Sequence, residues 1–351
     1  MRRRHFEALQ PVCPICRGAE REPRRLQLAA AVVADDECVE EGLLHCENPL
    51  CRREYPILDG IPVLIADLRD YVSGSLLQLL QRQDLSPLLE SLIGDCAGPG
   101  STFDVTRQHL SIYGLSHYAE KASALVRILD RGLELMGTSS PSGLTIDLGC
   151  SVGRTSFELA DRTADLVLGI DMNFAMLQVA QSAMRTGVAR FPQRRVGVVY
   201  EQAEHPVHCA NPDKVDFWAC SAAALPFDNG AFDLAVALNL IDCVSSPLDL
   251  LQSTANVLRE GGKALFATPY DWSPGATPLE AWVGGHSQRT EHAGRSEPLL
   301  RALLTPGAHP ASLTSLALQA EDDDLPWSLR LHDRATANYG VHLLVAERAV
   351  S

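Results

Sequence analysis

The alternation of apolar and polar positions changes character along the 351-residue chain. From residue 144 onward, apolar runs of strand length alternate with helical segments, a pattern typical of a parallel sheet built from β-α-β units. It predicts strands at 144–148, 166–170, 215–219, 232–239, 264–268, 327–331 and 341–346, and helices at 155–162, 174–185 and 248–259. Gly261 and Gly262 indicate the end of the last helix. We therefore expect an α/β fold with a doubly wound, mostly parallel, seven-stranded sheet.

Two stretches of different character precede this region. Residues 1–66 are rich in cysteine, proline and arginine and end in a strand-like apolar run, which predicts a small separate domain. Residues 67–140 carry leucines at helical spacing, and we expect a helical linker whose helices cover the sheet domain. The sheet domain then occupies 141–351, and its segment 272–310, rich in Gly, Pro, Ser and Thr, is predicted to be a loop or lid insertion.

Charge and composition narrow the class of protein. The basic N-terminus is not followed by an apolar segment long enough for a signal peptide or a membrane span, so we expect a cytoplasmic protein with no membrane partner. The net charge of -14 lies mostly outside residues 1–66, which argues against a broad nucleic-acid footprint on the main domain. Ten cysteines in such a chain favour reduced thiols and a metal site over disulfides.

The first candidate site is a turn of small residues between an apolar strand and a helix. Gly149, Ser151 and Gly153 let a ligand approach the backbone, and free N–H groups at the start of the helix attract a carboxylate or phosphate. Asp171 ends the next predicted strand, where its carboxylate can accept hydrogen bonds from ribose hydroxyls. A dinucleotide fingerprint aligned on Gly149 needs glycines where Ser151 and Arg154 stand, which disfavours a dehydrogenase.

The motif Asp147-x-Gly149-x-Ser151-x-Gly153 resembles the first motif of class I S-adenosylmethionine-dependent methyltransferases of the type 11 group, with Ser151 replacing the usual middle glycine. Segments 221–233 and 258–263 resemble the family's adenine-side loop with its fourth strand and the turn before its fifth strand. The resemblance covers about residues 140–270 and implies a Rossmann-like fold with S-adenosylmethionine as cofactor. It implies cofactor contacts by Asp147, Gly149, Ser151, Gly153, Arg154, Asp171, Met172, Ser221, Ala222 and Asn239.

At two of these positions the residue itself alters the expected cofactor contact. Position 221 is usually Asp in the family, and although the Ser221 hydroxyl can meet the adenine amino group, the affinity is expected to be lower. Asp147 has a structural alternative, because a buried carboxylate there can simply hold the glycine turn in place.

Four cysteines form a second candidate site. Cys13 and Cys16 form one pair and Cys46 and Cys51 another, a spacing that suits tetrahedral Zn²⁺, and a small domain with little core needs such a metal to fold. Buried structural cysteines are the alternative. The following segment 55–64 resembles small zinc-ribbon proteins that activate tRNA and protein methyltransferases. The resemblance implies a fused stabilising or substrate-presenting module whose metal is structural.

The candidate catalytic residues follow predicted strands or precede the sheet. Asp242 follows the fourth strand of the sheet domain, Tyr270 and Asp271 follow the fifth, and His117 lies on a helix that can close over the cofactor. Segments 269–272 and 282–285 resemble the mercaptohistidine N-methyltransferase region of ovothiol synthesis, which implies a small nitrogenous acceptor, histidine- or imidazole-derived.

Three functions therefore remain open at this point. The leading hypothesis is an S-adenosylmethionine-dependent N-methyltransferase acting on a small molecule. The second is an RNA methyltransferase that grips RNA with its ribbon and with Arg2, Arg3, Arg4, Arg17, Arg21, Arg24 and Arg25. The third is a non-catalytic, methyltransferase-like partner subunit. The sequence does not predict the oligomeric state.

Overall fold

The computed structural model describes residues 1–18, 24–82, 85–119 and 123–350. The N-terminal unit (residues 1–66) and the helical segment after it contain α1 (Arg3–Leu9), α2 (Pro14–Gly18), β1 (Leu26–Ala34), β2 (Val39–Cys46), β3 (Glu54–Leu58), β4 (Ile61–Leu64), α3 (Leu68–Leu80), α4 (Pro87–Ala97), α5 (Thr102–Tyr118) and α6 (Ala124–Leu135). The helices of this segment begin at side-chain caps, as at Ser101, whose hydroxyl accepts the Asp104 N–H.

The remaining chain alternates strands with helices, as its apolar pattern predicts. Its elements are β5 (Thr145–Leu148), α7 (Arg154–Arg162), β6 (Val167–Asp171), α8 (Phe174–Thr186), β7 (Val188–Val196), β8 (Val199–Pro206), β9 (Val215–Cys220), β10 (Phe232–Leu238), α9 (Pro247–Val257), β11 (Leu258–Thr268), α10 (Ser296–Leu303), β12 (Leu316–His332) and β13 (Ala335–Arg348). The predicted insertion 272–310 contains short 3₁₀ turns and α10.

Within the described residues, eleven strands form one sheet in the order β1-β2-β3-β4-β9-β6-β5-β10-β11-β13-β12. The strands from β4 to β11 in this order run parallel, and β13 and β12 close the far side antiparallel. The sheet domain contributes seven of these strands, so the sheet exceeds the predicted count of seven because the N-terminal unit adds β1–β4. The four strands of the N-terminal unit extend the sheet, because Val63 and Leu64 of β4 pair with Ala219 and Cys220 of β9.

Two other details differ from the sequence-based expectation. A separate hairpin, β7–β8, follows α8 and is absent from the predicted elements. The helix predicted at 248–259 ends at Val257, and β11 begins at Leu258. Gly261, with φ +71°, lies inside β11 at an irregular stretch of its pairing with β10 and does not end the helix.

The sheet separates two apolar cores. One core packs residues of α5, α6, α7 and α8, including Leu129, Phe157 and Leu177, against one face. The other packs α9, α10 and the N-terminal unit, including Leu44 and Leu250, against the opposite face. The strands of the parallel region are buried on both sides, as expected when helices cover both faces.

The N-terminal unit is fixed to the sheet domain by its own arginines. The Arg2 N–H donates to Asp216 Oδ2 at 2.9 Å, and the Arg25 guanidinium pairs with Asp228 at 2.5 Å. Arg17 donates to the Asn229 side chain, while Arg21 lies outside the described residues. Across the described ranges, every helix is too short or too polar to traverse a lipid bilayer.

Candidate active site

A cavity of about 630 Å³ lies at the carboxyl ends of the parallel strands, a volume within the ~300–1,000 Å³ of small-molecule sites. Its floor is formed by the ends of β5, β6, β10 and β11. Its roof combines α5, through Tyr113 and His117, with the β12–β13 hairpin, through Trp327 and Tyr339. Elements that are distant in the sequence therefore enclose one site.

The turn after β5 adopts left-handed backbone at three positions, with φ +71° at Gly149, +53° at Ser151 and +88° at Gly153. A Cβ on Gly153 would lie 2.8 Å from Ala180 Cβ and Phe217 Cζ, so only glycine fits there. Ser151 occupies the middle position of this turn in a conformation that usually favours glycine. The close approach of helix, strand and turn is what brings the backbone to the cavity.

The amides of this turn do not match the sequence-based expectation of free N–H groups. The Gly149 and Cys150 amides both donate to the Ile170 carbonyl at 2.9 Å, and the Ser151 amide donates to Asp171 Oδ2 at 2.9 Å. The expected amide cradle for a carboxylate is therefore wrong for these three residues. Their hydrogen bonds instead tie the end of β5 to the end of β6.

Burial raises the pKa of both the Asp171 and the Asp147 carboxyl. The Asp171 oxygens accept the amides of Ser151 and Asn173, and burial raises the pKa of its carboxyl. Asp147 is 2% exposed, accepts the Ser156 hydroxyl at 2.6 Å, and has its pKa raised by burial to about 7. Both aspartates line the cavity. Asp147 thus anchors the first turn of α7 and also borders the site.

Several buried polar atoms on the cavity wall have no hydrogen-bond partner among the described residues. They are His117 Nδ1, Asn239 Oδ1 and Nδ2, Asp242 Oδ1 and Trp327 Nε1. An unpaired buried polar group costs on the order of 1–3 kcal/mol, so a cluster of them around one cavity indicates that a polar ligand completes the site. Burial lowers the pKa of His117 to about 3, which keeps its imidazole neutral at neutral pH.

The predicted catalytic residues separate into two groups. His117, Asp242 and Asp271 line the cavity, and Asp242 Oδ2 accepts the Asp271 amide at 2.7 Å. Tyr270 does not line it, because its hydroxyl is held 2.6 Å from His342 Nδ1, away from the site. Tyr339, which sequence analysis missed, contacts Asp271, and burial followed by this hydrogen bond raises the pKa of Tyr339.

The predicted cofactor residues also fall into two groups, those that line the cavity and those that do not. Asp147, Gly149, Ser151, Asp171 and Asn239 line the cavity, whereas Gly153, Arg154, Met172, Ser221 and Ala222 do not. The Arg154 guanidinium forms an ion pair with Glu158 at 2.7 Å, one turn along α7. Met172 and Ser221 immediately follow the adjoining strands β6 and β9, and Met172 is 44% exposed.

The four predicted metal ligands come together in the N-terminal unit. The Sγ atoms of Cys13 and Cys51 lie 3.8 Å apart, and those of Cys16 and Cys46 lie 3.7 Å apart. All four Sγ atoms lie within 4.8 Å of one another. A tetrahedron with Zn–S bonds of ~2.3 Å has edges of about 3.8 Å, so the cluster has the dimensions of a four-thiolate metal site. Asn48 also donates to Cys46 Sγ through its amide at 3.4 Å.

A crevice at the carboxyl ends of a parallel sheet, with an acid at the end of β6 and a glycine turn after β5, is the usual position of the ligand site in open α/β sheets. Comparison with known families makes the class specific: residues 146–266 match the family model described as a methyltransferase domain. This stretch of the chain is therefore similar to methyltransferase domains. A search of curated proteins finds no match.

Solved structures similar to this chain include a SAM-dependent methyltransferase from Methanosarcina mazei, with 19% identity, 60% of this chain and 94% of that chain covered, and a TM-score of 0.39. Phosphoethanolamine N-methyltransferase 2 from Haemonchus contortus, in complex with S-adenosyl-L-methionine, is 15% identical; the match covers 70% of this chain and 44% of that chain, with a TM-score of 0.38. A complex of the Haloferax volcanii Trm112 methyltransferase activator with its putative methyltransferase shows 16% identity, 64% and 93% coverage and a TM-score of 0.38.

Proposed function

We propose that this protein is an S-adenosylmethionine-dependent methyltransferase that N-methylates a small nitrogenous metabolite, histidine- or imidazole-derived. The observation that carries the proposal is the roofed cavity, whose wall holds the carboxylates of Asp147, Asp171, Asp242 and Asp271. Such a site favours a compact cation or amine over a polyanion, because its carboxyl groups accept hydrogen bonds and, when ionised, repel phosphate groups.

The residues present fit the cofactor. Asp171 keeps acceptor capacity for ribose hydroxyls beyond its two backbone amides, and the unpartnered Asn239 amide supplies a donor and an acceptor at the cavity wall. Met172, Ser221 and Ala222 remain the proposed adenine side, next to this wall. When bound, the sulfonium group supplies an activated methyl, and the protein mainly has to align the nucleophile and remove its proton.

The opposite side of the cavity suits the acceptor. Tyr113, Trp327 and Tyr339 provide aromatic faces, and the Asp242 and Asp271 carboxylates lie beside them. We assign Asp271 to accepting the proton of the acceptor nitrogen, because it is exposed at the edge of the cavity and its amide is fixed by Asp242. The neutral His117 imidazole is proposed to hold the acceptor through Nδ1.

Two observations favour a small acceptor over RNA. Residues of α5 and of the β12–β13 hairpin bound a cavity of about 630 Å³, the size of a small-molecule site. Arg2 and Arg25, two members of the basic patch that the RNA hypothesis requires, form ion pairs with the sheet domain.

Calorimetric titration of the full chain with S-adenosylmethionine tests the first part of the proposal, and we expect saturable binding. Absence of heat up to millimolar cofactor would leave the non-catalytic partner subunit as the better hypothesis. Transfer of a labelled methyl group to histidine and imidazole compounds, compared with transfer to a tRNA mixture, then tests the acceptor. Asp271→Asn should lower turnover while leaving cofactor affinity unchanged, and Asp324→Asn on the exposed part of β12 is the matched control.

We also propose that the four-cysteine cluster binds one structural Zn²⁺. All four positions are cysteines that can each supply a thiolate ligand, so a tetrahedral ion would have no position left open for chemistry. Metal analysis should give about one zinc per chain, and Cys13→Ser with Cys16→Ser should release it and lower the unfolding temperature. Cys38→Ser with Cys96→Ser, outside the cluster, is the control. Retention of zinc and of stability in the first variant would contradict the proposal.

A further inference from the structure

A second cavity, of about 160 Å³, lies apart from the active site between α4, α5, α8 and the β7–β8 hairpin. Its wall includes Glu90 from α4, Arg107 from α5, Val179 from α8, Arg190 from β7 and Gln202 from β8. The catalytic residues proposed above play no part in it. Methyl transfer therefore gives no account of why three arginines, Arg107 and Arg190 with Arg82, surround so small a space.

Arg107 is the unusual member of this wall, because it is 2% exposed and its charge is incompletely matched. Its guanidinium carbon lies 4.8 Å from the ring centre of Phe103 and 4.1 Å from that of Tyr200, so aromatic faces contact the cation. Nε and Nη2 have no hydrogen-bond partner among the described residues. A buried guanidinium with unused donors is costly unless an acceptor completes it.

The neighbouring carboxylate does not meet this need. Asp104 Oδ1 lies 4.0 Å from Arg107 Nη2, too far for a hydrogen bond. Its oxygens already accept the Gly100 amide at 3.0 Å, the Gln108 side chain at 2.8 Å and the Tyr200 hydroxyl at 3.1 Å. Asp104 therefore balances part of the charge while the donors of Arg107 stay available.

The backbone leaves space for the guanidinium at this place. Gly94 is buried on α4, and a Cβ there would lie 2.2 Å from Arg107 Nη1. A glycine inside a helix costs roughly 1 kcal/mol relative to alanine, so its presence here is explained by the room that the cation requires. The position of the Arg107 guanidinium therefore depends on Gly94 of α4 as well as on α5, which carries Arg107.

The remaining charges give the cavity a positive balance. Arg190 lies at its exposed side, with Nε 3.8 Å from Glu204, and Glu90 is the acidic residue of the wall. Burial raises the pKa of the Glu90 carboxyl, while the nearby charges of Arg107 and Arg190 act in the opposite sense, so Glu90 offsets part of the positive charge of the cavity.

We propose that this cavity is a binding site for a small oxyanion, a phosphate or carboxylate group, held by the buried guanidinium of Arg107 and by Arg190. A planar guanidinium can donate parallel N–H bonds to two oxygens of such a group, and the contacts with the Phe103 and Tyr200 rings fix the plane of this one. The volume accommodates the anionic group itself or the anionic end of a larger metabolite.

The test measures thermal unfolding of the full chain in inorganic phosphate, in acetate and in sodium chloride at matched ionic strength. We expect a saturable rise in unfolding temperature with phosphate or acetate beyond that given by chloride. The rise should disappear in Arg107→Gln, and half-saturation should need at least tenfold more anion in Arg190→Gln. Arg195→Gln, on the same hairpin but paired with Glu201 outside the cavity, should respond as the wild type does.

The comparison of anions identifies the group. Saturation by phosphate alone assigns a phosphate ligand, and saturation by acetate alone assigns a carboxylate. If Arg107→Gln fails to fold, Arg190→Gln and Gly94→Ala, whose new Cβ displaces the guanidinium, take its place. No saturable response to either anion, or the same response in the wild type and in all cavity variants, would overturn the proposal. Calorimetry with S-adenosylmethionine is independent of this outcome.

Discussion

The buried carboxyl of Asp147 makes the stability of the protein depend on pH in a direction that can be tested. Its pKa is raised from 3.8 to about 7 because burial disfavours the charged form, although the Ser156 hydrogen bond acts in the opposite sense. Between these values the folded protein keeps the proton while the unfolded chain loses it. This group therefore stabilises the fold at low pH, and its contribution is lost as the pH rises toward 7.

The free energy of unfolding should change by about 1.4 kcal/mol per pH unit in this range, because the folded chain binds one more proton than the unfolded chain. Between pH 5 and pH 7 the free energy of unfolding should fall by about 2 kcal/mol through Asp147 alone. Asp147→Asn preserves an oxygen that can accept the Ser156 hydroxyl but does not titrate, so its stability should not show this fall.

Urea unfolding of both proteins from pH 5 to pH 8, without cofactor, measures the difference between their curves. Titrating groups that do not interact with Asp147, such as His117, contribute equally to both curves and cancel. Asp36→Asn, at an exposed position, is the control and should follow the wild type. Parallel curves for the wild type and Asp147→Asn would refute the reasoning, because the carboxyl would then ionise equally in the folded and unfolded chain.

Three further predictions concern the site. Gly153→Ala should lower the free energy of unfolding by about 1–3 kcal/mol in urea, because the new Cβ would meet Ala180 and Phe217. The control Gly187→Ala, at a φ of +71° but in open space, should lower it less. Equal losses of unfolding free energy in the two variants would contradict this packing. Asp171→Asn should weaken S-adenosylmethionine binding at least tenfold in calorimetry through loss of a charged acceptor for ribose, and unchanged affinity would remove that role. Trp327→Phe removes a buried N–H that has no hydrogen-bond partner among the described residues, so the free energy of unfolding should stay the same or rise. The KM for the methyl acceptor should rise at least threefold. An unaltered KM would show that Trp327 Nε1 does not contact the substrate.

The strands that border the 630 Å³ cavity are the part of the fold that the sequence predicts well. β5, β6, β9 and β10 lie within about one residue of the predicted positions, because strands buried on both faces are continuous apolar runs. The β7–β8 hairpin escaped prediction since its strands mix charged and apolar residues and include Pro192. β12 is seventeen residues long, and its acidic stretch at 321–324 lacks any apolar strand pattern.

The details of the site depend on contacts that a single sequence does not encode locally. The glycine turn was visible, but the consumption of its amides by Ile170 and Asp171 follows from how β5 pairs with β6. Tyr113 and Tyr339 reach the cavity because α5 and the β12–β13 hairpin fold over it. The apolar run of β4 indicates a strand, yet its partner β9 lies about 150 residues later in the chain, and no local pattern specifies that pairing.

The pairing of β4 with β9 also protects the protein from self-association. Without β4, Ala219 and Cys220 at the end of β9 would present unpaired backbone donors and acceptors beside the buried, mostly apolar residues of that strand. Such a flat, apolar edge recruits strands from other molecules and promotes aggregation. A preparation in which the four-cysteine cluster has lost its organisation is therefore expected to precipitate by edge-to-edge strand addition before the sheet domain unfolds.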